Sequence, residues 1–154
     1  MRTAFRLFCL MFLSAGLLSA GGCASRRHFA TPRRAPDRVM RMEVTGYCHC
    51  GICCNWRRSW FGLGPPVIAS GPDRGKPKEV GITASGTRVR PGTVAADTSL
   101  LPFGTIVYVP GYGWGRVEDR GGAIRGQKLD LYFRTHAQAN QWGRQHHDVR
   151  IWLP

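Results

Sequence analysis

A chain of 154 residues has room for one packed core and a short extension, which excludes a second domain of ordinary size within it. Its 43% hydrophobic and 20% charged residues are those of a globular chain, and 20 glycines with 10 prolines break it too often for a bundle of long helices, so a β-rich fold is expected. The formal charge of +13 draws polyanions as a class: anionic lipid headgroups, acidic envelope polymers and nucleic acid.

At the N-terminus, Arg2 and Arg6 lead into an apolar run from Leu7 to Leu18 that is too short to span a bilayer, followed by the small residues Ser19, Ala20, Gly21 and Gly22. This reads as an export signal over 1–23. Ala20-Gly21-Gly22-Cys23 is similar to a bacterial lipobox, which predicts lipidation at Cys23 and a membrane anchor; cleavage after Ala24 also satisfies the small-x-small rule. Loss of Arg2 and Arg6 with the leader takes the charge from +13 to +11, still strongly basic. Export makes nucleic acid the least fitting of the polyanionic partners.

Residues 24–38, rich in arginine and proline (Arg26, Arg27, Pro32, Arg33, Arg34, Pro36), suit a tether. The alternation that begins at Val39 predicts a first strand over 39–47 and opens a folded domain expected to occupy 39–154. Next comes Cys48-His49-Cys50-Gly51-Ile52-Cys53-Cys54, four thiols within seven residues. Local disulfides are the simpler outcome in an oxidising envelope. Zinc held by Cys48, Cys50, Cys53 and Cys54 is the second reading, although the spacing lacks two separated CxxC halves, and free or redox-active thiols are the third. Gly51 to Lys78 reads as a long irregular surface excursion carrying Trp56, Arg57, Arg58, Trp60 and Phe61. Further strands are predicted at 105–109, 115–118, 128–133 and 148–152. A single short helix follows Thr135, whose capping box with Gln138 precedes Ala137, Ala139 and Trp142 and which Gly143 closes. His136, His146 and His147 are expected to be structural or solvated.

Three aspartates sit in apolar or glycine-rich surroundings: Val94-Ala95-Ala96-Asp97, Val117-Glu118-Asp119-Arg120-Gly121-Gly122, and Leu129-Asp130-Leu131. Strand alternation puts Asp130 on the face opposite Leu129 and Leu131, either in solvent or in a polar pocket. The acids stand 22 and 11 residues apart, room for a strand and a turn between each pair.

With these blocks go Gly81-Ile82-Thr83-Ala84-Ser85-Gly86-Thr87, Leu101-Pro102-Phe103-Gly104-Thr105, Val109-Pro110-Gly111-Tyr112-Gly113 and Gln141-Trp142-Gly143. Together they resemble the three-aspartate (3D) domain family, which includes the catalytic barrel of the membrane-bound lytic transglycosylase A type. The resemblance implies an all-β fold, a six-stranded double-psi β-barrel with one short helix near the C-terminus, and three carboxyls meeting in one groove. It implies non-hydrolytic cleavage of the β-1,4 bond between N-acetylmuramic acid and N-acetylglucosamine in peptidoglycan glycan strands, leaving 1,6-anhydro ends and needing no cofactor. By motif position Asp130 is the acid and then the base, with Asp119 and Asp97 as its catalytic partners, because like charges at close range keep one carboxyl protonated. Thr83, Arg120 and Tyr132 are the expected substrate contacts. Where the family carries threonine after the second aspartate this chain has Arg120, which either pairs with Asp119 or meets a substrate carboxylate. A non-catalytic glycan-binding lipoprotein of the cell envelope is the alternative function. An aspartic-protease relative fits poorly, since Asp119-Arg120-Gly121 and Asp97-Thr98-Ser99 replace the Asp-Thr/Ser-Gly turns that chemistry needs.

Overall fold

The structure, a computed structural model, describes residues 28–154; the leader, Cys23 and the start of the tether lie outside the described residues. Alternation governs the first strand, β1 (Arg38–Tyr47), which turns Met42 and Val44 into the core. Its opposite face carries Glu43, Thr45 and Tyr47. The excursion that follows is more ordered than expected. It contains one helical turn, α1 (Gly51–Cys54), and two three-residue strands, β2 (Trp56–Arg58) and β3 (Pro66–Ile68), paired antiparallel. Strands this short carry too little alternation to be read from sequence.

The remaining strands are β4 (Thr93–Ala96), β5 (Ile106–Val109), β6 (Gly113–Asp119), β7 (Lys128–Tyr132) and β8 (Gln145–Trp152). With β1 they close a six-stranded barrel in the order β1-β7-β4-β6-β5-β8, parallel at β1–β7 and β4–β6 and antiparallel elsewhere. The expected closed six-stranded barrel is thus present. Its interior is filled by Val94, Leu101, Val107, Val109, Val117, Leu129, Leu131, Val149 and Ile151 along with the β1 residues. Each large side chain withdrawn from water there contributes about 1.5–3 kcal/mol before conformational entropy is set against it. At Gly115 a Cβ would lie 2.4 Å from Val94 Cγ2, so only glycine lets β6 pass β4 this closely.

Helix α2 (His136–Trp142) has the predicted capping box: Thr135 Oγ1 accepts the Gln138 N–H, and Gln138 Oε1 accepts the Thr135 N–H. Ala139 and Trp142 pack the helix onto the barrel. No helix among the described residues is long and apolar enough to cross a membrane.

Candidate active site

Register decides which acids meet. Across the barrel wall Thr45 on β1 stands opposite Asp130 on β7, Asp130 opposite Ala95 on β4, and Ala95 opposite Asp119 on β6. Plain alternation along β6 would point Asp119 inward with Gly115 and Val117. A register shift between β4 and β6, where Val94 meets Val117 but Ala95 meets Asp119, inserts Glu118 as the extra residue and turns Asp119 to the outer face. Glu118 is buried instead, holding Thr93 Oγ1 at 2.8 Å and pairing with Arg116 and His28. Two aspartates thereby flank one small alanine. Their backbones lie two ladder spacings apart, about 9–10 Å, and their side chains share one cavity.

That cavity encloses about 430 Å³ and is lined by Asp119 and Asp130, by Tyr47, Thr83 and Ala95, and by Lys78 and Arg120 among others. Asp130 lies recessed in it, and among the described residues its Oδ1 accepts one hydrogen bond, from Thr45 Oγ1 at 2.8 Å. Burial, reinforced by the charge of Asp119 and opposed by the Thr45 hydroxyl, pushes the Asp130 carboxyl up to about 6. Asp119 is fixed by three donors: Tyr47 OH on Oδ2 at 3.1 Å, and the Ala84 and Arg120 N–H groups on Oδ1, both at 2.9 Å. Thr45 and Tyr47, two residues apart on one face of β1, thus each hold one acid. Burial and the nearby Asp119 keep the Tyr47 phenol protonated, well above the usual tyrosine range.

The three-carboxyl cluster expected from the sequence is, in the structure, a pair. Asp97 does not line the cavity. Its Oδ1 takes Ser99 Oγ at 2.6 Å and Ser99 N–H at 3.1 Å, and its Oδ2 takes Gly126 N–H at 2.8 Å. The Ser99 hydroxyl and these backbone donors hold its carboxyl down to about 2. Because Gly126 ends the loop that carries Arg120, Gly121, Gly122 and Ile124 on the cavity rim, Asp97 fixes that rim from outside.

Thr83 is buried at the cavity wall, with its hydroxyl 2.9 Å from Thr87 Oγ1 and accepting the Thr87 N–H at 3.1 Å, so it holds the turn that aims Ala84 N–H at Asp119. The Arg120 side chain is exposed and meets Asp119 through its backbone, which replaces the buried ion pair considered from sequence. Tyr132 is turned away: its hydroxyl lies 2.7 Å from His49 Nδ1, and it lines a separate cavity of about 440 Å³ with Tyr112, Phe133 and Trp142. Sequence reasoning missed Thr45 and Tyr47; the available signal was the alternation of β1, which puts both on the face opposite Met42 and Val44.

The local disulfides expected from the sequence are not formed: Cys48, Cys50, Cys53 and Cys54 are all unbridged in the structure. Cys48, Cys50 and Cys53 gather with His136, whereas Cys54 departs from the expected ligand set. Its Sγ donates to the Cys48 carbonyl at 3.2 Å and faces the acid cavity.

The comparisons with known proteins follow the same outline. Residues 92–153 match the 3D domain family. This bears out the resemblance, and the 3D segment spans β4 through β8 with all three aspartates. Among curated proteins the chain is 35% identical over 75 residues to "Cell wall-binding protein YocH" of Bacillus subtilis, covering 46% of this chain and 26% of that protein. It is 33% identical over 75 residues to "Putative cell wall shaping protein YabE" of the same organism, covering 46% and 18%. The chain spans about a quarter or less of the curated relatives it matches. Among solved structures, MltA from E. coli aligns with a TM-score of 0.39 at 24% identity over 47% of this chain and 28% of that one. The same protein with bound chitohexaose aligns with a TM-score of 0.40 over the same shares.

Proposed function

We propose that this chain is an exported cell-envelope protein that cleaves peptidoglycan glycan strands by the lytic transglycosylase reaction, anchored through lipid at Cys23, with a working domain that takes in residues 28–38 of the expected tether, because His28 pairs with Glu118 and Asp37 accepts the Leu153 N–H. The observation that carries the reading is Asp130, a recessed carboxyl raised to about 6 and sharing a cavity with Asp119. An acid of that strength keeps a substantial protonated fraction near neutral pH, which protonation of a leaving oxygen requires. The relatives named for cell-wall binding and cell-wall shaping support the envelope assignment.

In this reading Asp130 gives its proton to the glycosidic oxygen as the bond from that oxygen to the anomeric carbon breaks. The C6 hydroxyl oxygen of the muramic residue then bonds to the same carbon, and its proton returns to Asp130, so no water is consumed. Asp119, held by three donors, stabilises the positive charge that develops on the sugar ring. Asp97 and Thr83 are positioning residues, one for the rim loop and one for the Ala84 turn. Arg120 and Lys78 at the mouth suit the lactyl or peptide carboxylate of the substrate.

A second reading, a glycan-binding module without catalysis, is favoured by the exposed Trp60, Phe61 and Leu63 beside Arg57 and Arg58, an apolar and basic surface fit to grip a polymer. Incubation with purified sacculi separates the two. Release of anhydro-muropeptides that ends with Asp130→Asn is the expected result; pelleting with the sacculi and no release at any pH from 5 to 8 would establish the binding module instead.

A further inference from the structure

We propose that Cys48, Cys50, Cys53 and His136 form a structural zinc site that clamps the loop after β1 to the first turn of α2. The proposal goes beyond glycan cleavage and stands or falls without it. Cys48 Sγ and Cys53 Sγ lie 3.8 Å apart, and His136 Nδ1 lies 3.6 Å from Cys50 Sγ and 3.3 Å from Cys53 Sγ. All four atoms fall within 4.8 Å of one another. A tetrahedral zinc ion with bonds of about 2.3 Å to sulfur and 2.0–2.1 Å to nitrogen has ligand edges of about 3.8 Å between sulfurs and about 3.6 Å between sulfur and nitrogen. The Cys48–Cys53, Cys50–His136 and Cys53–His136 separations match those edges to within a few tenths of an ångström.

The surrounding chain is built to hold the ligands. Cys50 caps α1, and its sulfur accepts the Cys53 N–H at 3.5 Å, the kind of backbone donor that supports a metal-bound thiolate. His136 is the first residue of α2 and is fixed in place by the Thr135–Gln138 capping box. The His136 imidazole comes from 83 residues beyond Cys53, so the ion closes a long loop between two segments far apart in the sequence. Four protein ligands leave no open coordination position, which makes the site structural. Binding takes zinc from solution and releases the three thiol protons to solvent, with no redox step. Cys53 and Cys54 also line the acid cavity and Tyr47 directly precedes Cys48, so the clamp stiffens one wall of the proposed active site.

The test is metal analysis of the full chain purified under reducing conditions, followed by cobalt substitution. One zinc per chain is expected, and the cobalt protein should show thiolate-to-metal charge transfer with the strong visible bands of tetrahedral coordination. Cys54→Ser should leave stoichiometry and spectrum unchanged. His136→Ala should weaken affinity more than about a hundredfold, beyond the 10–100-fold typical of losing a residue that only supports a ligand. Should His136→Ala fail to fold, His136→Cys keeps four ligands and should bind one cobalt with stronger charge transfer. Failure of the reduced protein to take up cobalt, isolation of the chain with Cys48 and Cys53 disulfide-bonded, or a site that needs Cys54 and ignores His136 would each overturn the assignment.

Discussion

Asp130 and Asp97 are the same residue in the same family segment, and their surroundings push them in opposite directions. Asp130 is recessed on the outer face of β7 with one hydroxyl for a partner and is raised to about 6, whereas Asp97 sits in a half-buried surface turn with three donors and is lowered to about 2. Desolvation wins where donors are few, and donors win where solvent already shares the charge. A motif of three aspartates therefore does not make three equivalent acids. One is poised to carry a proton, and one is committed to holding a loop.

The sharpest way to break this comparison is to remove the proposed proton carrier. Asp130→Asn should lower release of anhydro-muropeptides by about 10²–10⁴-fold, the usual range for a general acid–base group. Asp119→Asn should lower it by about 10²–10³-fold, as for loss of a preorganised charge. Activity at the parent level in Asp130→Asn would assign the acid elsewhere.

Stability gives a second separation, with a definite sign. The Asp130 carboxyl is neutral in both folded and unfolded chains below about pH 4. Between there and about pH 6 the unfolded chain ionises first, so this residue costs stability as pH rises, reaching about 2–3 kcal/mol at pH 8. Asp130→Asn escapes that cost. In urea titrations it should be more stable than the parent at pH 8 by about that amount, with the advantage gone at pH 4. Asp97 has the opposite sign: its stabilisation is present above about pH 4 and is lost as pH falls toward 2. Asp97→Asn keeps an acceptor for Ser99 but turns an amide N–H toward Gly126 N–H, so the rim loop loosens. Activity should fall by no more than about tenfold, the worth of one hydrogen bond, and the acid-side loss of stability should shrink. A loss as large as that of Asp130→Asn would return Asp97 to the catalytic group.

The contrast also marks what the sequence discloses. The orientation of Asp130 follows from Leu129 and Leu131, because a period of two is all that placement requires. Asp119 does not follow, since alternation sends it inward and only the shift of register at Glu118, a property of two strands together, brings it out. Strand β4 is four small or β-branched residues, too short to announce itself, although it completes the barrel and supplies Ala95 between the two acids. The helix after Thr135 was legible because its capping signal is local, in side chains three residues apart. By the same reasoning the cysteine cluster was visible but its partner was not. A histidine 83 residues away joins it only through the packing of α2 on the barrel, and neighbouring Cys54 was the nearer choice on the page of the sequence.

The smallest expected effect tests the balance at Asp130 itself. Thr45 Oγ1 donates to Asp130 Oδ1 and holds its acidity against burial, so Thr45→Val, nearly the same shape without the donor, should raise the Asp130 carboxyl further. A hydrogen bond worth about 0.5–1.5 kcal/mol corresponds to as much as about one pH unit. The proposed cleavage needs Asp130 protonated in the free protein, so kcat/KM should decline as pH rises past about 6 in the parent and at a higher pH in Thr45→Val. The decline would stay in place if Thr45 merely packed against β7, and it would move to lower pH if the hydroxyl favoured the neutral acid. Only an upward displacement with a similar plateau at low pH fits a carboxyl whose strength is set by burial against a single donor.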